Sequence, residues 1–411
     1  MSGVISVEEA LDRILSRVVV LGDERVPLTA ALHRVLAEDV DSPRDMPPWP
    51  ASSMDGYALR SADTARAAAA APARLAVAGR VPAGGMAERP IRPGEAFRIF
   101  TGAPLPEDAD SIIPQEDVSV DGPTLLVPRP VPEGDFVRPR GEDMRRGDRV
   151  LDRGRVLSAA DVGLLATVGC SPVSVIRRPR VGILSTGDEL VDLGGRIGPG
   201  QIPNSNSYSL IAQVTEAGAV PVSLGIAGDR LEEIEARFRW GLGCDILISS
   251  AGVSVGEHDF VKDALARLGA EQHLWLVDMR PGKPIAFSTI PQEGKGALAV
   301  FALPGNPVSA MVTFELFVRP AILRMAGHAR LHRPIVTARA EEPIRNGDRR
   351  RGYLRVTLAP TDDGYRARLT GTQSSGVLRS MVAADGLAVV PGQTTIAPGQ
   401  PVRVILLRPA L

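Results

Sequence analysis

The chain has 411 residues, more than one hydrophobic core ordinarily holds, so roughly two to four domains are expected. Lys and Arg number 47 against 48 Asp and Glu, a net charge of −1, so no single-sign field spans the chain to coat a nucleic acid or a membrane surface. Aromatic residues are only 4%, so the cores must rest on Val, Leu, Ile and Ala.

Cys170 and Cys244 are too few and too distant for a disulfide framework or a zinc site, and both read as small buried hydrophobes. No apolar run reaches the ~18 residues of a membrane span. The start, MSGVISVEEALDRIL, has neither a basic n-region nor an h-region, so no signal peptide and a cytoplasmic location are expected.

Taken in chain order, residues 6–18 predict a helix. Ser6 and Glu9 form a capping box, and Ala10, Ile14 and Val18 share a face. A second helix is predicted over LTAALHRVLAEDV, residues 28–40. The Pro- and Ser-rich stretch that follows cannot be a long helix. Short alternating runs (LAVAGRV, EAFRIF, LLVPRPV) then predict an inserted β domain over 45–137. Helical character returns at SAADVGLLATVG, where Ser158 and Asp161 mark the N-terminus. The helices flanking the insert are expected to pack together in a discontinuous helical and extended domain, 1–44 with 138–177.

Residues 178–327 alternate strand-like runs (VGILST, VPVSLGIAG, DILISSAG, LWLVDM, ALAVFAL) with helical ones, the signature of a doubly wound, mostly parallel α/β sheet. Residues 328–411 return to short strands (PIVTARA, GYLRVTLA, YRARLTG, GLAVVPG, VRVILL), predicting a C-terminal β domain, sandwich or barrel. The fold class is thus multidomain α/β plus β.

The unusual residues of the α/β domain fall just past strand ends: STGDEL, AGDR, AGVSVGEHD, RPGKP and PGNPVS. That edge is where open α/β sheets bind ligands. Glycines let backbone approach a ligand, and amides at a helix start after residue 258 would bind an anion. Lys283 is a cation on a stiff loop, while Asp188, Glu189, Asp229, Glu257 and Asp259 are carboxylates beside it. Carboxylates facing a phosphate make sense with a hard cation between them, and Mg²⁺ takes one or two carboxylates plus phosphate oxygens. Singly, each has a plainer explanation: Asp259 as a helix cap, Asp188 and Glu189 as turn acids, RPGKP and PGNP as rigid turns. Their common placement favours a site.

GVSVG also matches a serine nucleophile elbow, but His258 is too close to Ser254 to serve as its base, and the downstream histidines are poorly placed. His328 and His332 have the spacing of helical metal ligands; with Arg330 between them and no acid nearby, a solvated face is favoured.

Several longer motifs go beyond the α/β domain: MDGYAL (54–59), RIFTGAPLPEDADSIIPQED (98–117), RGEDMRRGD (140–148) and RRGYLRV…GTQSSG. Together with SAGVSVGEHD, GKP and LPGNPVS they resemble the MoeA family of molybdopterin molybdenumtransferases, whose eukaryotic counterpart is the gephyrin E domain. The resemblance covers nearly the whole chain. It implies a molybdopterin-binding α/β domain and a C-terminal β-barrel-like domain. It implies Mg²⁺-dependent insertion of molybdate into adenylylated molybdopterin with release of AMP, the sulfur ligands coming from the substrate. Carried over by motif, Asp188, Glu189 and Asp259 would line the site and hold Mg²⁺ or orient phosphate, with Asp229 a weaker member. Gly252, Ser254 and Gly256 would contact the pterin phosphate. Arg280 and Lys283 would neutralise phosphate or molybdate, and Pro304, Asn306 and Pro307 would shape the pocket wall. Arg350 and Ser375 would bind molybdate. The family's homodimer would place Asp55 and Thr101 opposite the α/β loops of the other copy. The upstream adenylyltransferase and acceptor apo-molybdoenzymes are further implied partners.

The chain departs from the family pattern at Ala251, where a glycine is usual, at Arg280, where some relatives have lysine, and at Asp385, where asparagine is common. Three rival functions make different demands. An adenylyltransferase needs only the α/β domain, a pterin-binding scaffold would release no AMP, and a serine hydrolase would be labelled at Ser254.

Overall fold

The computed structural model describes residues 4–251, 260–294 and 296–408. The chain divides into two compact units, Met1–Val26 with Ala30–Ala37 and Val173–Leu411, and Pro27–Thr29 with Glu38–Pro172.

The first unit is built on a six-stranded sheet in the order Val220–Ala227, Arg180–Thr186, Ile246–Ser250, Gly296–Leu303, Pro284–Gln292, Glu271–Leu276. The first four strands are parallel, and the last two pairings are antiparallel. Successive side chains point to opposite faces. Ile183, Ile246, Ile248 and Phe301 therefore pack with Leu210, Val214, Val308 and Val312 from the helices Ser205–Glu216 and Pro307–Thr313. Leu184, Leu247 and Val300 pack on the other face with Ile234, Phe238, Val261 and Leu265 from Leu231–Gly241 and Phe260–Arg267. Helices on both faces make the sheet doubly wound, as the alternating sequence predicts. The strand Pro284–Gln292 was not anticipated. Its residues 285–290 are buried in succession, and its prolines lie near its ends, where a strand tolerates them.

A long helix follows the strand Gly296–Leu303, as Pro307–Thr313 continued by Arg319–Met325 through a wider π turn, Phe314–Val318. Pro320 sits at the start of the last segment and has no N–H to give the preceding turn, which fits the change of helical pitch there.

The five C-terminal strands predicted from sequence close into a barrel. Arg351–Thr361 pairs with Gly364–Leu369 and with Gly386–Val390. Pro401–Leu406 joins Gly386–Val390 to Ile335–Ala340, and Ile335–Ala340 pairs parallel with Gly364–Leu369. Closure leaves no free edge.

The second unit carries a six-stranded sheet in the order Ser111–Pro114, Gly56–Leu59, Glu95–Ile99, Ala73–Val81, Thr124–Val127, Ser119–Asp121, with apolar residues buried on both faces. Gly56 is required at its pairing with Ser111–Pro114, since a Cβ there would lie 2.1 Å from the Ile113 carbonyl oxygen. Its helix Ala159–Val168 has both halves of the Ser158–Asp161 capping box and ends at Gly169, at φ 77°.

Two expectations are corrected. The first helix, Val7–Leu15, forms, with Ser6 accepting from the Glu9 amide. It does not pair with Ala159–Val168. Val7, Ala10 and Ile14 are buried instead with Phe314, Val318 and Ile322 in the first unit, while Ala159–Val168 belongs to the second. The periodicity that predicts a helix identifies its apolar face and says nothing of which element covers it. The predicted helix over 28–40 is absent apart from a short turn, Leu28–Ala30. His33 takes φ 62°, the Ala37 amide bonds to the Ser174 carbonyl, and Arg34 donates to the Ile176 carbonyl and to Glu24. Contact with the strand Val173–Ile176 outweighs the local helical preference.

Candidate active site

The parallel strands end at Thr186, Ala227, Ser250 and Leu303. Register places Thr186 beside Ala227, Ser185 beside Ser250, and Ser250 beside Leu303. Leu276 faces Pro284, so the RPGKP turn leaves from the same edge. The loops singled out from sequence therefore emerge side by side. Gly252, Ser254, Gly256, Glu257 and Asp259 lie outside the described residues, as does His258.

A cleft of about 620 Å³ is lined by Thr186, Glu189, Asn204, Asn206, Ser250, Ala251, Gly305, Asn306 and Pro307. Gly187 is at φ 144°, and a Cβ there would lie 2.3 Å from Glu189 Oε2. The Glu189 carboxylate thus occupies space that any other residue at 187 would fill. Asp188 Oδ1 accepts from the Asp229 amide at 3.1 Å, so Asp229 meets Asp188 through its backbone, and both side chains are exposed. Adjacent carboxylates at a ligand cleft suit the one or two that Mg²⁺ takes from a protein. Among the described residues no group of three His, Cys, Asp or Glu side chains is gathered to hold a metal ion.

Sequence reasoning missed the polar lining of this cleft. Ser185 Oγ donates to Asn204 Oδ1 at 3.0 Å and lies 2.8 Å from Ser207 Oγ, all three side chains being buried. Asn206 Nδ2 donates to Ser250 Oγ at 2.8 Å and to the Gly305 carbonyl at 2.7 Å, tying two strand-end loops together. The cue was the PNSNS run, where Asn204 caps the helix Ser205–Glu216.

A second cleft of about 560 Å³ meets the first at Asn306. It is lined by Arg280, Gly282, Lys283, Pro304, Arg350 and the segment Thr372–Ser375. Gly282, at φ 102°, presses against Thr313; a Cβ there would come within 2.4 Å of Thr313 Cγ2. Asn306 and Pro307 start a helix whose Val308 amide bonds to the Ser375 carbonyl at 3.1 Å, fixing barrel residues to the sheet edge.

Asp348 organises the positive side of this cleft and was not anticipated. Arg350 grips it with Nε at 2.8 Å from Oδ1 and Nη2 at 2.6 Å from Oδ2, while Arg280 Nη1 lies 3.6 Å from Oδ2. The Arg350 hydrogen bonds hold the Asp348 carboxyl well below the usual carboxylate range. The pairing uses one edge of the Arg350 guanidinium, and Nη1 donates to the Met279 carbonyl at 3.4 Å, which leaves one hydrogen on each of Nη1 and Nη2 for a ligand. The lone acid in NGDRRRG was the available signal.

Ala251 has φ 85°, in the left-handed region that favours glycine. In the second unit, Asp55 Oδ1 accepts from both the amide and the hydroxyl of Thr101 at 2.8 Å, which lowers its carboxyl pKa. His328 lies beyond the helix end at Met325, so His328 and His332 are not a helical ligand pair; burial lowers the His328 pKa.

A doubly wound sheet with two clefts at its strand-end loops, one holding Glu189 and one lined by cations, together with a closed barrel and a separate β unit, defines a multidomain protein of the α/β plus β class. Three family models match the chain in order: "MoeA N-terminal region (domain I and II)" over residues 5–169, "Probable molybdopterin binding domain" over 182–324, and "MoeA C-terminal region (domain IV)" over 337–407. The molybdopterin molybdenumtransferase of Nostoc sp. is 39% identical over 93% of this chain and 88% of its own length. That of Synechococcus elongatus is 37% identical over 98% and 99%. A crystal structure of the molybdopterin biosynthesis MoeA protein from Pyrococcus horikoshii superposes with a TM-score of 0.80 at 28% identity, covering 98% of this chain and all of that one. The chain belongs to the MoeA family, an enzyme family of molybdenum cofactor biosynthesis. No helix among the described residues is long and apolar enough to cross a membrane.

Ala251→Gly should raise stability by up to ~1 kcal/mol, relief of positive-φ strain being partly offset by unfolded-chain entropy. A lower denaturation midpoint would show that the alanine is not strained. Asp348, with its pKa lowered in the fold, stabilises above the ordinary carboxylate range, and that contribution is lost as pH falls through roughly 4 and below. Asp348→Asn should therefore flatten the acid limb of the stability–pH curve, measured by denaturant titration. An unchanged acid limb would exclude the ion pair as its source.

Proposed function

We propose that this chain inserts molybdate into adenylylated molybdopterin, releasing AMP and giving molybdenum-molybdopterin. The observation that carries this is the meeting of two unlike clefts at Asn306. The one lined by Glu189, Asn206 and Ser250 suits the pterin and its phosphates, and the one lined by Arg280, Lys283, Arg350 and Ser375 suits an oxyanion.

Arg350 presents the remaining hydrogens of Nη1 and Nη2 to molybdate, and Lys283 adds a charge without a planar geometry of its own. Pro304 and Pro307 stiffen the wall around Asn306. Ser254, with the backbone of Gly252 and Gly256, would contact the pterin phosphate, all three lying outside the described residues. Mg²⁺ would be held by Asp188, Glu189 and Asp259, with Asp229 a weaker candidate, and would offset phosphate charge when bound. The tie between Asp188 and the Asp229 amide, and the room that Gly187 leaves for Glu189, support this donor set. In a homodimer, Asp55 and Thr101 of a second copy would complete the cleft, the Thr101 contacts keeping Asp55 ionised. The adenylyltransferase that makes the substrate and the apo-molybdoenzymes that take the product are the expected partners, in the cytoplasm.

The test is AMP release from adenylylated molybdopterin by purified protein with Mg²⁺, with and without molybdate. Molybdate-dependent release, with product that activates an apo-molybdoenzyme, is expected. Tight pterin binding without AMP release would favour a scaffold instead. Lys283→Ala should weaken molybdate binding by roughly 1.5–3 kcal/mol, the worth of a charge-assisted contact. Unaltered affinity for both molybdate and pterin in a titration would remove Lys283 from the site.

A further inference from the structure

Arg355 is the largest side chain buried almost completely, at 1% exposure. A buried guanidinium ordinarily sits against a carboxylate, because desolvating an unpaired charge is costly. Among the described residues this one has only uncharged acceptors. Its Nε donates to Ser380 Oγ at 3.1 Å, and its Nη2 donates to the carbonyls of Ser374 at 3.1 Å and Thr372 at 3.4 Å. Its backbone amide also donates to Gln373 Oε1 at 2.8 Å, and Gln373 Nε2 donates back to the Arg355 carbonyl at 3.2 Å. Arg355 thus holds Thr372, Gln373 and Ser374, next to the Ser375 carbonyl that the Val308 amide holds, and this segment is a wall of the cationic cleft. Burial, with the charge of Arg280 adding to it, pushes the Arg355 guanidinium down to about 10, so it stays positive at neutral pH.

The charges around this cleft do not balance. Arg280, Lys283 and Arg350 line it and Arg355 lies behind its wall, while Asp348 is the acid in contact with them among the described residues. A dianion in the cleft would offset the excess.

We propose that Arg355 is a positioning residue, holding the Thr372–Ser375 segment in the shape that presents Ser375 to an oxyanion bound between Arg280, Lys283 and Arg350. This deepens the function proposed above and rests on an oxyanion occupying that cleft. The planar fork explains arginine here, since lysine carries the charge with all its donors on one nitrogen, whereas these acceptors are served by two nitrogens, Nε and Nη2. A purely structural strut would change stability and leave the affinity of the folded protein unchanged.

The experiment is calorimetric titration of sodium molybdate into the full-length wild type and the variants Arg350→Ala, Arg355→Met, Arg355→Lys and Ser380→Ala, each checked as folded by circular dichroism. Arg350→Ala should lose most of the affinity. Arg355→Met should bind about ten-fold more weakly or worse, and Arg355→Lys should fall between it and the wild type. Ser380→Ala, which removes one prong of the fork outside the cleft, should weaken binding a few-fold. Wild-type affinity in both Arg355 variants, with Arg350→Ala impaired, would overturn the positioning role alone. Arg355→Lys as tight as wild type, with Arg355→Met weak, would leave charge as the whole effect and also overturn it. No molybdate binding by the wild type, or equal binding by Arg350→Ala, would instead remove the oxyanion from this cleft. If Arg355→Met fails to fold, Arg355→Lys and Ser380→Ala decide: both weakened supports the role, both unchanged overturns it.

Discussion

The parallel register of Arg180–Thr186 with its neighbours Val220–Ala227 and Ile246–Ser250, and of Ile246–Ser250 with Gly296–Leu303, is the constraint on which the rest depends. Each strand buries one set of side chains on each face, so a slip of one residue would exchange Ile183, Ile246 and Ile248 with Leu184 and Leu247 between two different helical layers. The apolar pattern therefore holds the register. The register in turn brings the ends of four strands to one line, and chemistry carried by loops far apart in sequence becomes contiguous.

Unlike charges coexist along that line because different elements hold them. The carboxylates follow the strand Arg180–Thr186, where Gly187 leaves room for Glu189 to fold back. The cations come from the RPGKP turn and the barrel, where Asp348 grips Arg350 by one edge and draws in Arg280. The Val308 amide and the Ser375 carbonyl join the barrel to the helix that starts at Asn306. The barrel thus does more than cap the sheet: it supplies one wall of the cationic cleft. Its closure gives that wall a stiff foundation, with Arg355 tying the Thr372–Ser375 segment to the strand Arg351–Thr361.

Much of the architecture was legible because its signals are local. The Ser158–Asp161 capping box, the alternation of strand and helix over 178–327 and the five C-terminal strands all appear where the residues predict them. Ala251 was flagged as standing in a glycine position, and its φ of 85° bears that out. Other features were hidden for identifiable reasons. The helix expected over 28–40 is displaced by pairing with Val173–Ile176, a partner nearly 140 positions away that no local window contains. The strand Pro284–Gln292 was obscured by its prolines, and the partner of Val7–Leu15 could not be read from its periodicity.

By itself the sequence determined the fold class, the family and the loops that follow the strand ends, because strand periodicity, glycine and proline placement and long ordered motifs are properties of neighbouring residues. Only the tertiary structure decided how those loops are equipped. Asn206 bridges Ser250 and Gly305, Asp348 orders two arginines, and Arg355 lies buried without an acid. An asparagine, an aspartate or an arginine looks the same in a sequence whether it faces water or a neighbour. Its role follows from the desolvation and the partners that folding imposes on it, and those come from strands and loops brought together across the chain.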